Sequence, residues 1–335
     1  MKVLYIYRHP DMGFSIGKVF RPIEEEMRKY AEVDAVYLPI PNYKPAGLWK
    51  NIRTAVAAVK QKKYDIVHIT GAEHYLIPFL RKQNIVVTVH DLGFFTNHGL
   101  SIRTLWKYCL WIKTLPLAKR ATFISKKSLK EAEGLVKFKS GQAVVIHDPI
   151  GREYVPNSKT INTSCPTILH VGTKPNKNLT RTIDALNGLP CKLRIVGEIS
   201  SSDRELLIRN GVDFSNVCNI SDEELLQEYQ NADIVNFPSL TEGFGMPVIE
   251  GQGVGRLVIT SNLEPMKSIA GGGAVLCNPS DVGSIRDAYK RCIGNPDYCM
   301  SIVNMGNENI KKYRVQNIAK EFFALYADLI NKHKS

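Results

Sequence analysis

Short apolar runs alternate with longer stretches of helical periodicity along this chain of 335 residues. In the first half, the apolar runs are rich in β-branched residues, and helical stretches such as residues 47–64 lie between them. This pattern predicts strands in the first half at the following ranges: 3–7, 33–38, 66–69, 85–89, 121–124 and 144–146.

The alternation stops over residues 151–166, a polar segment with two prolines that indicates a linker. It restarts with predicted strands at 167–172, 192–197, 216–220, 232–238 and 256–260. Strands that alternate with helices through short connections form parallel sheets covered on both faces. We therefore predict an α/β fold of two doubly wound domains that face each other.

Composition is ordinary for a globular protein, with 44% hydrophobic and 23% charged residues. The opening stretch MKVLYIYRHP indicates a first strand and not a signal peptide, and no apolar run is long enough to cross a bilayer. The seven cysteines include no C-x-x-C pair, which argues against a disulfide framework or a zinc site. We expect a cytoplasmic protein.

The net charge of +12 is unevenly distributed along the chain. Residues 1–150 contain 24 Lys and Arg against 12 Asp and Glu, whereas the remaining residues contain 20 of each kind. A basic first domain suggests an extended anionic partner such as a membrane surface, a phospholipid or nucleic acid. The alternative is that these cations lie on ordinary solvated helix faces.

Ligands of open α/β sheets bind beyond the carboxyl ends of the strands. In the first half, His90 and Asp91 directly follow a predicted strand, where a histidine can donate to a hydroxyl or a phosphate. The alternative is a capping or loop histidine, and we interpret His68 as an ordinary strand-end residue. Gly13 and Gly17 flank the turn after the first strand, without the G-x-G-x-x-G spacing.

In the second half, Lys177 lies at the predicted amino terminus of a helix whose Leu179 and Ile183 share one face. A cation is unfavourable at this positive end of a helix, and a bound anion would resolve the conflict. The alternative is a lysine whose long side chain extends into water.

The stretch SLTEGFGMPVIEG follows the predicted strand 232–238 and contains two glutamates eight positions apart. A helix tolerates proline in its first turn, so Pro247 predicts a helix that starts at Met246. The amides of the preceding turn, together with that helix terminus, can hold a phosphate. Glu250 then suits the two hydroxyls of a ribose, and Glu242 faces other hydroxyls or a centre that develops positive charge. The stretch therefore predicts a site for a nucleoside diphosphate that carries a sugar.

Glu242 to Glu250 is an E-x7-E motif. Together with PSLTEGFGMPVIEGQGVGRLVITSNLEPM and GGGAVLCNPSD, it resembles the donor site of retaining family 4 glycosyltransferases of the GT-B fold. Four further blocks resemble that family in the same order: VHDLG, RATFISKKSLKEA, HVGTKPNKNL and SDEELLQEYQNADI. The resemblance covers nearly the whole chain and is weakest over residues 1–60.

The resemblance implies two Rossmann-like domains that face a central cleft. Its domains would be an acceptor-binding domain at 1–150, a linker at 151–166, a nucleotide-sugar-binding domain at 167–312, and a helix at 313–335 that returns to the first domain.

The resemblance also implies roles for individual residues. Lys177 would neutralise the leaving diphosphate, Glu242 would lie beside the donor sugar, and His90 would lie near the reaction centre. The remaining donor-binding roles fall to Gly17 in a glycine loop, Ile220 at the base, the amides of Gly243, Phe244, Gly245 and Met246 at the diphosphate and sugar, and Glu250 at the ribose. Ser221 is interpreted as structural, because it forms a predicted capping box with Glu224.

The sequence departs from the family pattern at two places. Thr173 occupies a position where many relatives have an arginine, and Lys174 is the candidate substitute as a phosphate cation. Gly251, Gly253 and Leu257 stand where alanines and proline are frequent, so a looser helix is expected. The sequence contains no D-x-D motif, in agreement with an enzyme that uses Lys177 and a helix dipole in place of a metal.

The predicted function is that of a retaining, metal-independent glycosyltransferase without a cofactor, as in bacterial-type surface polysaccharide assembly. We expect a UDP-sugar in preference to a GDP-sugar, and a glycan or lipid-linked glycan acceptor. Trp49, Trp106 and Trp111 lie beside lysines, a combination that suits the anionic inner face of a membrane, although the tryptophans could equally belong to the core.

Three further functions are compatible with parts of the pattern. A nucleotide-sugar epimerase or a phosphorylase could use a similar two-domain scaffold. A basic nucleic-acid-binding protein would account for the charge of the first half, but it is disfavoured because that half contains no zinc, RRM or KH motif.

Overall fold

The computed structural model of the protein describes residues 1–12, 15–90, 92, 102–157 and 159–331. The chain divides into two compact units. One unit runs up to Pro149 and also includes the residues from Val315 onward, while the other runs from Ile150 to Arg314. The polar segment 151–166 thus belongs to the second unit.

Within the described residues, the first unit contains one sheet of six parallel strands. They are β1 (Lys2–Tyr7), β2 (Glu32–Tyr37), β3 (Ile66–Ile69), β4 (Ile85–Val89), β5 (Arg120–Phe123) and β6 (Ala143–Val145). Their order across the sheet is β2-β1-β3-β4-β5-β6, so the crossovers change direction between β1 and β3.

Side-chain alternation along β1 explains why both faces of this sheet are covered. Val3, Tyr5 and Tyr7 pack into one apolar cluster, whereas Leu4 and Ile6 pack into the cluster on the opposite face. Strands β3 and β4 are buried at every position, as central strands of a parallel sheet usually are, and their polar residues His68 and Thr88 bond to each other.

The second unit contains, among the residues described, another sheet of six parallel strands. They are β7 (Thr167–Val171), β8 (Lys192–Val196), β9 (Asp213–Val217), β10 (Ile234–Phe237), β11 (Leu257–Ser261) and β12 (Val275–Cys277). The order β12-β11-β10-β7-β8-β9 is that of a doubly wound nucleotide-binding sheet, with its switch point between β7 and β10. The predicted class of two doubly wound α/β domains is confirmed.

Helices connect these strands. In chain order the described α-helices are α1 (Ser15–Met27), α2 (Pro45–Gln61), α3 (Ile77–Leu80), α4 (Ile102–Lys107), α5 (Lys126–Glu133), α6 (Leu179–Leu186), α7 (Ser201–Arg209), α8 (Asp222–Asn231), α9 (Met246–Gly253), α10 (Met266–Ala270), α11 (Val282–Cys292), α12 (Pro296–Asn309) and α13 (Val315–Asn331). Among the residues that the structure describes, no helix combines the length and apolar character needed to cross a lipid bilayer.

Helix α13 packs on α1 within the first unit. Its buried residues Ile318, Phe322 and Tyr326 recur at helical spacing and join the cluster that contains Tyr5 and Phe20. The hydroxyl of Tyr326 forms a hydrogen bond with the Nδ1 atom of His68. Helix α13 is therefore part of the core of the first unit.

Ten of the eleven predicted strands are confirmed to within one or two residues. The strand predicted at 216–220 was placed three residues too late, because β9 runs over Asp213–Val217 and Asn219 adopts a left-handed φ of 55°. The polar residues of β9 follow from its position at the edge of the sheet, where much of the strand remains exposed. The short strand β12 was not predicted.

Candidate functional site

The switch point of the second sheet brings two loops together. Strands β7 and β10 are neighbours, and the loops that follow them begin at the same edge of the sheet. The loop after β7 contains Thr173, Lys174 and Lys177, and the loop after β10 contains residues 238–245. Nearly all donor-binding residues predicted for this unit lie in these two loops or in helix α9.

A left-handed glycine lets the first loop fold back on itself. Gly172 has a φ of 88°, and a Cβ atom there would lie 3.2 Å from Cγ of Lys177. The missing side chain therefore leaves room for the stem of Lys177. Thr173 packs in a similar way against Gly197, while Lys174 is exposed and precedes the 3-10 turn Pro175–Lys177.

Asn178 connects three segments at this edge of the sheet, and sequence reasoning did not single it out. Its side chain is buried, and its amide nitrogen donates to the carbonyl oxygens of Pro238 at 3.0 Å and Pro279 at 2.7 Å. Its backbone is left-handed, with a φ of 67°, a conformation that asparagine tolerates better than most residues. The one available sequence signal was an asparagine just before a helix.

Lys177 and Glu242 form an ion pair. The ammonium Nζ atom lies 2.7 Å from the carboxylate Oε1 atom, and the two side chains are only 20% and 15% exposed. Asn176 donates to the same carboxylate oxygen at 3.1 Å, and Nζ lies 4.6 Å from the ring centroid of Phe237. Lys177 was expected to need a bound anion, but here a carboxylate of the chain itself balances its charge.

The turn before α9 has the predicted form. Helix α9 begins at Met246, and Gly245 caps it with a φ of 107° that favours glycine. Gly243 is half-buried, and the side chain of Phe244 is buried with its ring edge-on to Tyr313 at 6.0 Å. Phe244 therefore serves the core through its ring, so a ligand would meet its backbone amide. Amides at a helix amino terminus are well suited to bind a phosphate.

Glu250 lies in the second turn of α9 and accepts a hydrogen bond from Tyr229. The tyrosine oxygen is 2.6 Å from the carboxylate Oε2 atom, and the tyrosine is fully buried. Burial and the adjacent Glu250 carboxylate hold the pKa of Tyr229 well above 10. Burial and Glu250 also raise the pKa of Tyr154, whose ring meets that of Tyr229 edge-on at 5.7 Å. Neither tyrosine was predicted as part of the site.

Ile220 lies in the loop between β9 and α8 and is half-buried. The next residue, Ser221, caps α8, accepting from the backbone nitrogen of Glu224 at 3.2 Å, and its own nitrogen donates to the Glu224 carboxylate at 2.7 Å. The predicted capping box is confirmed, so Ser221 is engaged in holding the helix start.

A buried polar cluster lies under the first loop. Asn236 of β10 donates to Nδ1 of His170 at 2.9 Å and accepts from the hydroxyl of Tyr289 at 2.6 Å. Burial, with a smaller contribution from Lys177, lowers the pKa of His170 to about 4. The imidazole is therefore neutral near pH 7, and the cluster cross-links β7, β10 and α11.

In the first unit, His90 follows β4 at the carboxyl edge of the sheet. Its Nε2 atom donates to the carbonyl oxygen of Thr70 at 2.9 Å, and its Nδ1 atom lies 3.7 Å from the buried carboxylate of Asp148. Burial lowers the pKa of His90, but Asp148 and the Thr70 carbonyl outweigh burial, and the net direction is upward. Asp91 lies outside the described residues.

The expectation for Gly17 requires correction, whereas His68 is a structural residue of its strand, as interpreted. Gly17 lies inside helix α1 and not in the loop before it, while Gly13 lies outside the described residues. His68 is fully buried within β3, where its Nε2 atom lies 2.8 Å from the hydroxyl of Thr88. Burial and the neighbouring His90 lower the pKa of His68 to about 3. It is thus a neutral core residue.

The fold is that of GT-B proteins, as similar solved structures show. A sucrose-phosphate synthase from Thermosynechococcus elongatus has a TM-score of 0.80 at 18% identity, over 99% of this chain and 100% of that one. The Anabaena protein HepE, solved with UDP and glucose, has a TM-score of 0.73 at 13% identity, over 98% and 100%. At such identities the likeness establishes the fold alone.

Sequence comparison identifies the family. The family described as Glycosyltransferase Family 4 matches residues 18–153, and the one described as Glycosyl transferases group 1 matches residues 152–309. The chain belongs to the family 4, group 1 glycosyltransferases.

The curated relatives include two O-antigen chain mannosyltransferases. Mannosyltransferase B of Escherichia coli is 26% identical over 68% of this chain, and RfbU of Salmonella typhimurium is 24% identical over 76%. The matches span 65% of the length of the first relative and 72% of the second. This chain thus covers slightly less than two thirds of the Escherichia coli protein.

Proposed function

We propose that the protein is a retaining glycosyltransferase that moves a sugar from a nucleoside-diphosphate sugar to a glycan or lipid-linked glycan. The observation that carries the proposal is the grouping of Lys177, the amides of residues 243–246 and Glu250 around the switch point of one sheet. These groups match the diphosphate and the ribose of one ligand.

The chemistry follows from where charge develops. As the glycosidic bond of the donor breaks, negative charge grows on the diphosphate, and Lys177 and the amino terminus of α9 stabilise it. The sugar becomes positively charged and oxocarbenium-like, and the carboxylate of Glu242 is suited to stabilise that charge. Because a lysine and a helix terminus supply the positive charge, we propose that transfer needs no divalent metal.

The proposed donor is a UDP-hexose in preference to a GDP-hexose. The presence of UDP and glucose in the HepE structure supports this choice. The names of the mannosyltransferase relatives favour a hexose such as mannose and a role in polysaccharide assembly.

For His90 the proposed role is near the transferred sugar. Its support is the VHDLG block and its position at the carboxyl edge of the first sheet. The neighbouring Asp148 favours the charged imidazolium form.

An anionic membrane surface is the proposed partner of the first unit. Residues 35–130 contain 16 Lys and Arg against three Asp and Glu, so the cation excess of the chain is concentrated there. Exposed apolar residues lie in the same range: Trp49 at 58%, Phe79 at 50%, Leu105 at 63%, Trp106 at 41% and Leu117 at 53%. Aromatic residues among cations suit a lipid headgroup region. Trp111, by contrast, is only 5% exposed and belongs to the core.

The test of the donor site is a thermal-shift panel of nucleotides and nucleotide sugars, followed by a transfer assay. A true donor at about 100 times its Kd should stabilise the protein by roughly 2.7 kcal/mol. Glu250→Ala should bind the nucleoside diphosphate about tenfold to a hundredfold more weakly, because charge-assisted hydrogen bonds contribute about 1.5–3 kcal/mol. Glu308→Ala is the matched control, since Glu308 is an exposed glutamate of the same unit that pairs with the nearby Lys311.

The transfer assay also tests mechanism and class. The anomeric configuration of the product, followed by NMR, should equal that of the donor, and EDTA should leave the rate unchanged. An inverted product or an activity restored only by Mn²⁺ would contradict the proposal. Consumption of the donor without an acceptor would indicate an epimerase, and consumption that requires phosphate would indicate a phosphorylase.

A further inference from the structure

We infer that Tyr229 is a positioning residue that orients Glu250 toward the ribose of the donor. The inference rests on the proposed function, in which Glu250 accepts hydrogen bonds from ribose hydroxyls. It assigns a part in donor recognition to a residue that lies outside the E-x7-E motif, on the helix before β10.

The hydrogen bond to Glu250 is the only polar contact of the Tyr229 hydroxyl that the described residues show. Tyr229 lies near the end of α8, fully buried, and its oxygen is 2.6 Å from Oε2 of Glu250. A buried tyrosine hydroxyl usually finds a partner, and a bond of this length to a carboxylate is of the strong, charge-assisted kind. The contact therefore holds the carboxylate in one orientation.

The ring of Tyr229 has little freedom to release that carboxylate. It packs edge-on against the ring of Tyr154 at 5.7 Å with an interplanar angle of 74°, and both tyrosines are buried. Burial and the Glu250 carboxylate raise the pKa of the Tyr229 hydroxyl, so the hydroxyl stays protonated and donates to Glu250. The direction of the hydrogen bond is thus fixed.

A held carboxylate matters because Glu250 is only partly buried on α9. A glutamate side chain on a helix surface samples several rotamers, and a ligand that needs one rotamer must select it at a cost in conformational entropy. A carboxylate has about four acceptor positions. The bond from Tyr229 takes one of them, and the two hydroxyls of a ribose can be received by others. Tyr229 thereby prepares the side chain for the ribose before the ligand arrives.

The experiment is calorimetry with two ligands and two matched variants. The first ligand is UDP or GDP, whichever binds more tightly. The second ligand is the 2′,3′-dideoxy analogue of the same nucleotide. The variants are Tyr229→Phe and Tyr289→Phe. Tyr289 is the control, because it is also fully buried in the second unit and also donates a 2.6 Å hydrogen bond, but to the neutral amide of Asn236.

The natural protein should prefer the ribose form. Tyr229→Phe should reduce that preference about tenfold, as expected for a weakened charge-assisted hydrogen bond, without changing the affinity for the dideoxy analogue. Tyr289→Phe should leave the preference unchanged although its melting temperature falls. In a Glu250→Ala background, Tyr229→Phe should have no further effect on the preference.

Four results would overturn the inference. An unchanged preference in Tyr229→Phe would do so while leaving the ribose contact of Glu250 intact. An equal loss in both tyrosine variants would reduce the effect to general destabilisation. Equal affinity of the natural protein for the ribose and dideoxy forms, or no binding of either UDP or GDP, would remove the proposed donor site and this inference with it.

Discussion

The ion pair between Lys177 and Glu242 leads to a prediction about donor binding. In the structure, Glu242 is paired with the ammonium group of Lys177, which we propose binds the diphosphate. Binding of a diphosphate must then compete with this carboxylate, which is also a like charge beside an anionic ligand. We predict that Glu242→Gln binds UDP more tightly than the natural protein and yet transfers sugar more slowly.

The magnitude follows from the hydrogen bonds that Glu242 accepts from Lys177 and Asn176. The bond from Lys177 is 2.7 Å long and partly buried, and a bond of this charged kind contributes about 1.5–3 kcal/mol. A glutamine still accepts from Lys177 and Asn176, but it carries no negative charge, so the bond from Lys177 has one charged partner in place of two. A loss of about 1–1.5 kcal/mol, roughly half of the bond between two charged groups, corresponds to a Kd about tenfold lower for UDP.

Calorimetry with UDP and with uridine measures the effect. Uridine has no phosphate, so its affinity should not change. Glu228→Gln is the matched control, because Glu228 forms a 2.6 Å ion pair with Arg194 in the same unit. The side chains of Arg194 and Glu228 are 25% and 18% exposed, similar to those of Lys177 and Glu242. An affinity for UDP that is unchanged or weaker in Glu242→Gln would refute the reasoning, as would an equal gain in the control.

Three further predictions concern catalysis, pH and the membrane. Lys177→Ala should lower kcat more than it raises KM, because charge on the diphosphate grows in the transition state, and a change in KM alone would exclude the leaving-group role. The raised pKa of His90 stabilises the folded state below the unfolded pKa of about 6.5, and this contribution is lost as the pH rises through the folded pKa. Asp148→Asn should therefore destabilise the protein more at pH 6 than at pH 9 in urea unfolding, and an equal loss at both pH values would be inconsistent with this coupling. Finally, the protein should co-sediment with anionic vesicles, less so at higher salt, and the double variant Trp49→Ala, Trp106→Ala should bind the vesicles more weakly. Protein that stays in the supernatant even at low salt would favour a soluble acceptor.

The sequence was sufficient for features that depend on neighbouring residues. The pattern of residues 232–246 predicted a strand, a glycine turn and a helix that starts at Met246, and all three are confirmed. The capping box at Ser221 was also predictable, because both of its partners lie within four residues. In each case the physical cause is local: backbone conformation, capping or side-chain periodicity.

The contacts that complete the site were not predictable in this way. Lys177 and Glu242 are 65 residues apart, and Asn178 and Pro279 are 101 residues apart. Tyr229 is separated from Glu250 by a whole strand and its turn. Periodicity shows which residues face inward, but strand order decides which of them meet. Lys177 could therefore be recognised as a cation that needs a partner, while its partner could not be named.

The discontinuity of the first unit affects the order in which the two units can fold during synthesis. Domains generally fold as units while the chain emerges, beginning with the amino-terminal one. Here, the sheet of the first unit is translated early, but α13 is translated only after every residue of the second unit. Until then, its apolar cluster lacks Phe322 and Tyr326, and the buried His68 lacks the Tyr326 hydroxyl. During synthesis, all residues of the second unit are therefore translated before the first unit has its last helix. The second unit can fold completely before the first unit can.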